Sequence, residues 1–599
     1  MKTKVKNWNL ILISFFCIIS TLSILYHVFK FSAYGIDFTD EGYYLNWISN
    51  PFLYKASVSQ FGFIYYPLYN LVDGNISWLR RLNFFITFVL ACTLVYLVIN
   101  NLVKFDKINR VIQCVLSSGI AISSFTYVHI QTPTYNHLTF QALLITSIGI
   151  VLIDVTKFNK NVLSYIIIGA GGWLTFMAKP TSAVGLSVLV LMYIILSKQF
   201  QLRFLLIAAV TISILFIISA YIIDGSITAY VERYILSYKL LTLLGVHDLN
   251  FLRIDELKLS LKIKLSIFFI FLISTFFIWL ALKNYKLINF IYIITCFLIL
   301  VAITTLATTE INWNPNYGYY NPYLVFGIFY ACLFVFIILI IKKKIIIHDA
   351  RLGLFFVFLM LPFIFAMGTG TNTWGKSRLA SFFWLISGFV LIIPFCLKLK
   401  LYQTIIFLAI ISQLITSIYI KEKLEKPYRY NQPLRLDDSI IIANNKNHQL
   451  ILSKEFASYI NDARKIAAQS GFTKEDAIID LSGQSPGLLY LLGAKSIGAA
   501  WNIGGYKGSL DMAKATFNLV DCKDIANSWV LYEPKGPRSI SADLLTSLGM
   551  NFPKQYQKVG SWETPLGAGG YKEIRTQELY KLLNVNIAKA SCELKRKKL

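Results

Sequence analysis

Long apolar runs separated by short polar stretches fill the first two-thirds of the chain. A helix needs roughly 20 apolar residues to cross a bilayer. Measured against that length, the runs fall at Leu10 to Phe29, Leu82 to Ile99, Val111 to Val128, Leu138 to Ile153, Val162 to Met177, Ala183 to Leu196, Phe204 to Ile223, Leu265 to Leu282, Ile288 to Thr305, Tyr323 to Ile341, Leu352 to Ala366, Phe382 to Phe395 and Tyr402 to Ile418. They predict an α-helical polytopic membrane protein with about 13 transmembrane helices. From about Asn445 onward the apolar periodicity weakens. Short β-forming runs, Ala477 to Leu481 and Trp529 to Tyr532, alternate there with helical patterns at Lys454 to Gln469 and Ser541 to Leu548. The expected organisation is a transmembrane domain over 1–420 and a C-terminal soluble α/β domain over 421–599, joined by the basic, proline-containing stretch Lys421 to Pro433.

The polar punctuation alternates in sign. Lys2, Lys4 and Lys6 precede a first run that lacks a small-residue cleavage site, which reads as a retained signal anchor. Lys104, Lys107, Arg110, Lys157, Lys160, Lys198, Arg203, Lys283, Lys286, Lys342, Lys343, Lys344, Arg351, Lys398 and Lys400 occupy one set of loops, expected to be cytoplasmic. Asp37, Asp40, Glu41, Asp73, Asp224, Glu232, Asp248, Asp255, Glu256 and Glu310 occupy the other set. An odd number of spans puts the soluble domain on that acidic side. The expected location is a bacterial inner (plasma) membrane, with the N-terminus cytoplasmic and the C-terminal domain extracytoplasmic.

Composition agrees: 56% of the 599 residues are hydrophobic and 15% charged, too apolar for a soluble protein of this length. A formal net charge of +26 would ordinarily suggest nucleic acid. Here the basic residues mark topology, and no nucleic-acid partner is expected. Six of the eight cysteines sit in apolar runs; Cys522 and Cys592 fall in the soluble domain, where they pair in an oxidising compartment or stay as thiols.

Candidate chemistry concentrates in the acidic loops. The first, from Lys30 to Arg81, carries Asp37-Phe-Thr-Asp40-Glu41-Gly-Tyr-Tyr directly after the first run. A carboxylate at the membrane boundary can accept a proton from a hydroxyl, and a second can position it or share a divalent cation, with Asp40 and Glu41 as the ligands. The alternative is that Asp37 or Asp40 caps an interfacial helix beginning near Glu41. Lys179, Lys376 and Arg378 stand at run ends, suited to a phosphate and equally to snorkelling. The loop from Glu310 to Tyr323, including Tyr317, and the stretch holding Tyr135, Asn136 and His137 mix aromatic faces with amides, as sugar sites do and as interfacial belts also do. For His137 a structural hydrogen bond is the expectation. No HExxH and no CxxC pair is present, and no charge lies in the middle of an apolar run, which disfavours zinc proteolysis and proton relays.

Thr39-Asp40-Glu41-Gly42-Tyr43-Tyr44-Leu45, then Pro67-Leu68-Tyr69, then Leu79-Arg80-Arg81-Leu82-Asn83, resembles the first-loop signature of the membrane glycosyltransferases of GT-C type. The similarity is greatest to the bacterial branch of the protein mannosyltransferase and aminoarabinose transferase superfamily, over roughly the first 85 residues. The resemblance implies a GT-C-like fold and a sugar donor carried on polyprenyl phosphate. It also implies an extracytoplasmic acceptor (lipid, polysaccharide or protein), Asp40 as the base and Glu41 as its helper. Asp37, Lys179, Lys376, Arg378, Glu310, Tyr317, Tyr135 and Asn136 are the expected substrate-binding residues. Apart from the divalent cation, no cofactor is expected. The other readings are an envelope glycan polymerase or ligase and a flippase-type transporter; the latter calls for inverted repeats or midplane charges.

Overall fold

Each apolar run forms a helix over most of its length in the structure, a computed structural model that describes residues 2–103, 107–154, 156–245, 257–283, 288–312, 316–342, 349–369, 371–443 and 448–597. Lys104, Lys286, Lys343, Lys344, Asp248, Asp255, Glu256 and residues 313–315 of the aromatic loop lie outside the described residues.

Among the described residues nine helices are long and apolar enough to cross a membrane. A tenth is obtained if Thr373–Ala380 and Phe382–Lys398, bent by 60°, are counted together. The runs at Arg110–Ser124, Pro180–Leu196 and Arg351–Ala366 make shorter apolar helices. The chain is a multi-pass membrane protein, and helix length and composition alone support fewer crossings than the thirteen runs suggest.

Burial sorts the helices into layers. The most apolar windows of Tyr135–Leu152 and Tyr402–Glu425 are 83% buried, whereas that of Leu202–Asp224 is 17% buried. The first two form the centre of the bundle, and the third turns Leu206, Val210, Ile214 and Ile218 outward, as a lipid-facing helix does. Buried amides cross-link the centre. Gln413 donates to Thr21 Oγ1 at 2.8 Å and to the Gly119 carbonyl at 3.3 Å, and Gln141 donates to Asn83 Oδ1 at 3.0 Å and Thr87 Oγ1 at 2.9 Å.

The last bundle helix runs on to Glu425, past the expected boundary at 420. The soluble domain then begins with an antiparallel pair, β1 (Ser439–Ile442) and β2 (Gln449–Leu452). A five-stranded mixed sheet follows, built from β3 (Ala477–Asp480), β4 (Lys495–Ser496), β5 (Trp529–Tyr532), β6 (Tyr556–Glu563) and β7 (Thr576–Leu582) in the order β4-β3-β5-β7-β6. β3 runs parallel to β4 and β5, and the β6–β7 hairpin adds antiparallel to β5. The helix Lys454–Gln469 buries Phe456, Tyr459, Ile460 and Ala463 on one face.

This domain docks on the first loop. The Gly35 N–H donates to the Ile451 carbonyl and the Ile451 N–H to the Ala33 carbonyl, each at 2.9 Å, so the loop lies along β2. The Gly487 N–H donates to the Phe38 carbonyl at 2.8 Å, and Asn46 Nδ2 to the Pro486 carbonyl at 2.9 Å. Gly42 is required by this approach, because a Cβ there would lie 2.1 Å from the Gly487 nitrogen. A helix with no apolar run, Ile227–Leu244, supports the domain elsewhere by packing on Ser509–Phe517.

Cys522 and Cys592 form a disulfide with their Cα atoms 5.7 Å apart, tying the short helix Cys522–Ala526 to the C-terminal helix Val585–Lys597. The bond closes a loop with a sequence separation of 70. By loop-closure entropy, replacing both cysteines with alanine is expected to destabilise the domain by about 4 kcal/mol. Thermal unfolding of the purified chain with and without reductant checks this; an unchanged melting temperature in the double variant refutes it.

Candidate functional site

The first loop folds into two helices, Asp40–Ser49 and Phe61–Leu71, lying between the first and second bundle helices. The three carboxylates at its start take three different roles. Asp37 caps: its Oδ2 accepts the Glu41 N–H at 3.2 Å and its Oδ1 accepts the Thr39 hydroxyl at 2.8 Å, satisfying the open end of the helix. Burial, helped by the nearby charge of Asp40, raises Asp37 from the ordinary 3.8 to about 7.

Glu41 is buried, 3% exposed, and engaged by several donors at once. Its Oε1 accepts Arg80 Nε at 3.0 Å and Nη2 at 2.9 Å and the Thr132 hydroxyl at 2.5 Å, while Oε2 accepts the Asp37 N–H at 3.2 Å. The remaining Arg80 N–H groups reach the carbonyls of Ser32, Tyr34 and Gly35. Sharing a divalent cation with Asp40 would require Glu41 to give up these partners, so the two residues do not fit that arrangement. Among the described residues, no three His, Cys, Asp or Glu side chains converge as a metal site.

Asp40 alone faces outward. Its side chain is 26% exposed and lies 3.4 Å from Arg429 Nη1, and Arg429 also donates to the Thr39 hydroxyl. The ring of Tyr428 carries the Arg429 guanidinium at 4.7 Å, and the charge of Asp40 is felt at its hydroxyl. Beyond Tyr428 is His129, with 6.1 Å between ring centroids. Burial, reinforced by the charges of Arg378, Lys423 and Lys376, holds the His129 imidazole well below its usual range.

Those three charges mark a cationic patch. Arg378 is 2% exposed and lies flat on Tyr319, Cζ 3.6 Å from the ring centroid; its Nε and Nη1 are buried without hydrogen-bond partners. A guanidinium in that state offers two N–H groups to an anion. Lys376 is on the one-turn helix Thr373–Ser377 just before it.

Lys179, at the break between two helices, donates to Asn136 Oδ1 at 3.3 Å and to the Phe365 carbonyl, and lies 5.9 Å from the Tyr135 ring centroid. Tyr135 packs on Tyr44 at 6.0 Å, and Asn136 Nδ2 donates to the Tyr127 hydroxyl at 3.2 Å. The structure thus gathers Asp40, Tyr135, Asn136, Lys179, Lys376 and Arg378 around the same end of the bundle. His137 makes the structural bonds expected of it, to Thr134 Oγ1 and the Tyr127 carbonyl. Tyr317 is drawn elsewhere: it accepts from Ser266 at 3.3 Å and lies under Lys262 on the helix Leu261–Leu282. Two residues on, Tyr319 is the ring that reaches Arg378. Glu310 is exposed, and its charge is felt at Tyr34.

Reading the sequence misses Arg429, Tyr428, His129 and Lys423. Arg429 belongs to the basic join, where its one signal is a positive charge followed by Tyr430. Two spacings also escape that reading. Gly370-Thr-Asn-Thr-Trp-Gly375-Lys376-Ser377 has the spacing of a phosphate-binding P-loop; Gly370 lies outside the described residues, and the element described before it is the helix Asp349–Ala366, not a strand. Gly483-Gln-Ser485-Pro-Gly487 has the spacing of a nucleophile elbow and does follow β3. Ser485, however, is buried between Ser482 Oγ at 2.9 Å and Gln577 Nε2 at 2.8 Å, and among the described residues no histidine bonds to it, so it serves as a structural turn. A cleft of about 410 Å³ lined by Asn50, Tyr69, Tyr490, Arg464 and Lys474 opens at the opposite end of the helix Asp40–Ser49.

In comparisons with known proteins, the chain matches no protein-family model and no curated protein.

Arg80→Gln leaves a buried carboxylate without its cation and is expected to destabilise the chain by about 3 to 5 kcal/mol. A lowered melting temperature in detergent, partly recovered in Arg80→Met with Glu41→Leu, is the expected result. Asp37 gives a pH signature of definite sign. Its carboxyl titrates near 7 folded and near 3.8 unfolded, so the folded state binds the extra proton and gains stability as pH falls through that window. Asp37→Asn is expected to flatten this part of the curve of melting temperature against pH.

Proposed function

We propose that this chain is a GT-C-like glycosyltransferase that moves a sugar from a polyprenyl-phosphate donor to an extracytoplasmic acceptor, with inversion. The observation that carries the proposal is a partly exposed Asp40 at the same end of the bundle as the buried Arg378, whose Nε and Nη1 have no hydrogen-bond partner. An anion site lined by Arg378, Lys376 and Lys423 suits a phosphate that gathers charge as it leaves, because buried cations stabilise such charge more strongly than exposed ones. Lys179 and Asn136 border the same region beside Tyr135 and Tyr44, whose faces suit a pyranose ring.

In this scheme the acceptor hydroxyl gives its proton to the Asp40 carboxylate while its oxygen attacks the anomeric carbon. The bond from that carbon to the phosphate oxygen breaks, and the electron pair leaves with the lipid phosphate, held by Arg378. One direct displacement inverts the anomeric centre. Arg429 stays beside Asp40, its Nη1 3.4 Å from the carboxylate, and orients it. Glu41 contributes by holding the helix that presents Asp40. The acidic loops, the docked soluble domain and the disulfide support an oxidising, extracytoplasmic side for this end of the bundle, in a bacterial inner membrane crossed by thirteen helices, some of them short.

The test is mass spectrometry of envelope glycans and lipid-linked sugars in cells lacking the chain, complemented at matched expression with wild type, Asp40→Asn or Arg378→Gln. Wild type is expected to restore a missing sugar. Each variant is expected to lower its transfer at least about a hundredfold, with accumulation of the donor lipid. Full complementation by Asp40→Asn overturns the reading and favours a polymerase or a transporter.

A further inference from the structure

The C-terminal domain brings a second group of side chains to Tyr43, on the helix that Asp40 begins. Trp501 faces Tyr43 with 6.3 Å between ring centroids, and its indole N–H donates to the Gly483 carbonyl at 2.9 Å, which fixes the ring. Arg538 Cζ lies 5.8 Å from the Trp501 ring centroid and 5.9 Å from that of Tyr506. Its Nε donates to the Tyr571 hydroxyl at 3.3 Å, and its Nη1 is buried without a hydrogen-bond partner. Among the described residues no carboxylate pairs with it. Tyr506 also acts electrostatically on Arg429, the residue that pairs with Asp40.

This arrangement is built into the backbone. The loop carrying Arg538 presses on Gly504 and Gly483, where a Cβ would lie 1.7 Å and 2.0 Å from the Arg538 carbonyl oxygen. Only glycine at both positions lets the chain bring this guanidinium in among the aromatic rings. If Arg538 served only to fasten the loop, its backbone and the Tyr571 bond would suffice, and a buried N–H without an acceptor would be pure cost. Aromatic faces that can take a sugar ring, beside a guanidinium with an unused N–H, match one chemistry: a sugar bearing a negative charge.

We infer that Trp501, Tyr506 and Arg538 form the acceptor subsite, and that the acceptor presents an anionic sugar, carboxylated or phosphorylated, to Asp40. The inference rests on the transferase reading and names the substrate class of that site. The soluble domain then selects the acceptor, while the bundle holds the donor.

Binding to the full-length chain in lipid nanodiscs, followed by saturation-transfer NMR and calorimetry, tests it with three probes: trigalacturonate, mannose 6-phosphate and neutral maltotriose. At least one anionic probe is expected to bind about tenfold or more tightly than maltotriose, and which one does so identifies the charge as carboxylate or phosphate. Arg538→Gln is expected to abolish that preference, Arg538→Lys to keep part of it, and Trp501→Leu to weaken all binding. Equal binding of neutral and anionic probes, no binding of either anion, or a preference that survives Arg538→Gln overturns the subsite. Because binding is read without turnover, such a failure leaves the Asp40 transfer test standing. If Asp40→Asn complements in cells while the anion preference persists, the transferase reading falls and the subsite survives as a binding site.

Discussion

The first loop depends on one buried ion pair. Arg80 spends its N–H groups on Glu41 and on the carbonyls of Ser32, Tyr34 and Gly35, and so closes the loop's opening segment onto the second bundle helix. A charge pair this deep tolerates no loose fit, since either partner alone would be stranded away from water. Its consequence for Asp40 is geometric. Successive helical residues point about 100° apart, so fixing Glu41 inward sets Asp40 on another side, toward Arg429 and the soluble domain. Two adjacent carboxylates with the same chemistry thus end as an anchor and an accessible group.

Much of the architecture is legible in the chain because hydrophobic length is a local property. The apolar runs became helices, and the expected segments Lys454 to Gln469 and Trp529 to Tyr532 appear with those limits. The β6–β7 hairpin is not foreseen, as its strands carry Lys558, Glu563, Glu578 and Lys581 and show no clear alternation. Ile227–Leu244 is missed because Glu232, Arg233 and Lys239 interrupt its apolar face, yet Arg233 is buried against Asp224 at 2.6 Å. The shorter apolar helices Arg110–Ser124, Pro180–Leu196 and Arg351–Ala366 show what run counting records: apolarity gives the solvent a helix prefers, whereas length bears on whether it crosses.

The candidate site is less legible, because its parts meet only through tertiary structure. Asp40 and its neighbours share a loop and carry a local signature. Arg429 joins them from nearly four hundred residues away, and His129 and Arg378 come from separate helix connections. Residue type alone also misjudges individual rings: Tyr317 and Tyr319 look alike in the sequence, and only the turn at Gly318–Val325 sends one to Lys262 and the other to Arg378. What sets Arg378 apart in the patch is its burial, which leaves Nε and Nη1 without hydrogen-bond partners in a place where an incoming anion would gain most.

The join between bundle and soluble domain has little slack. The last helix ends at Glu425, Arg429 follows almost at once, and Arg435 returns to pair with Glu425 at 3.0 Å. Residues on either side of this short crossing are bound to both halves. The domain is therefore geared to the membrane helices and does not hang from them on a string. Arg429 lies on this crossing and 3.4 Å from Asp40, so a displacement of the domain relative to the bundle would change the electrical environment at Asp40.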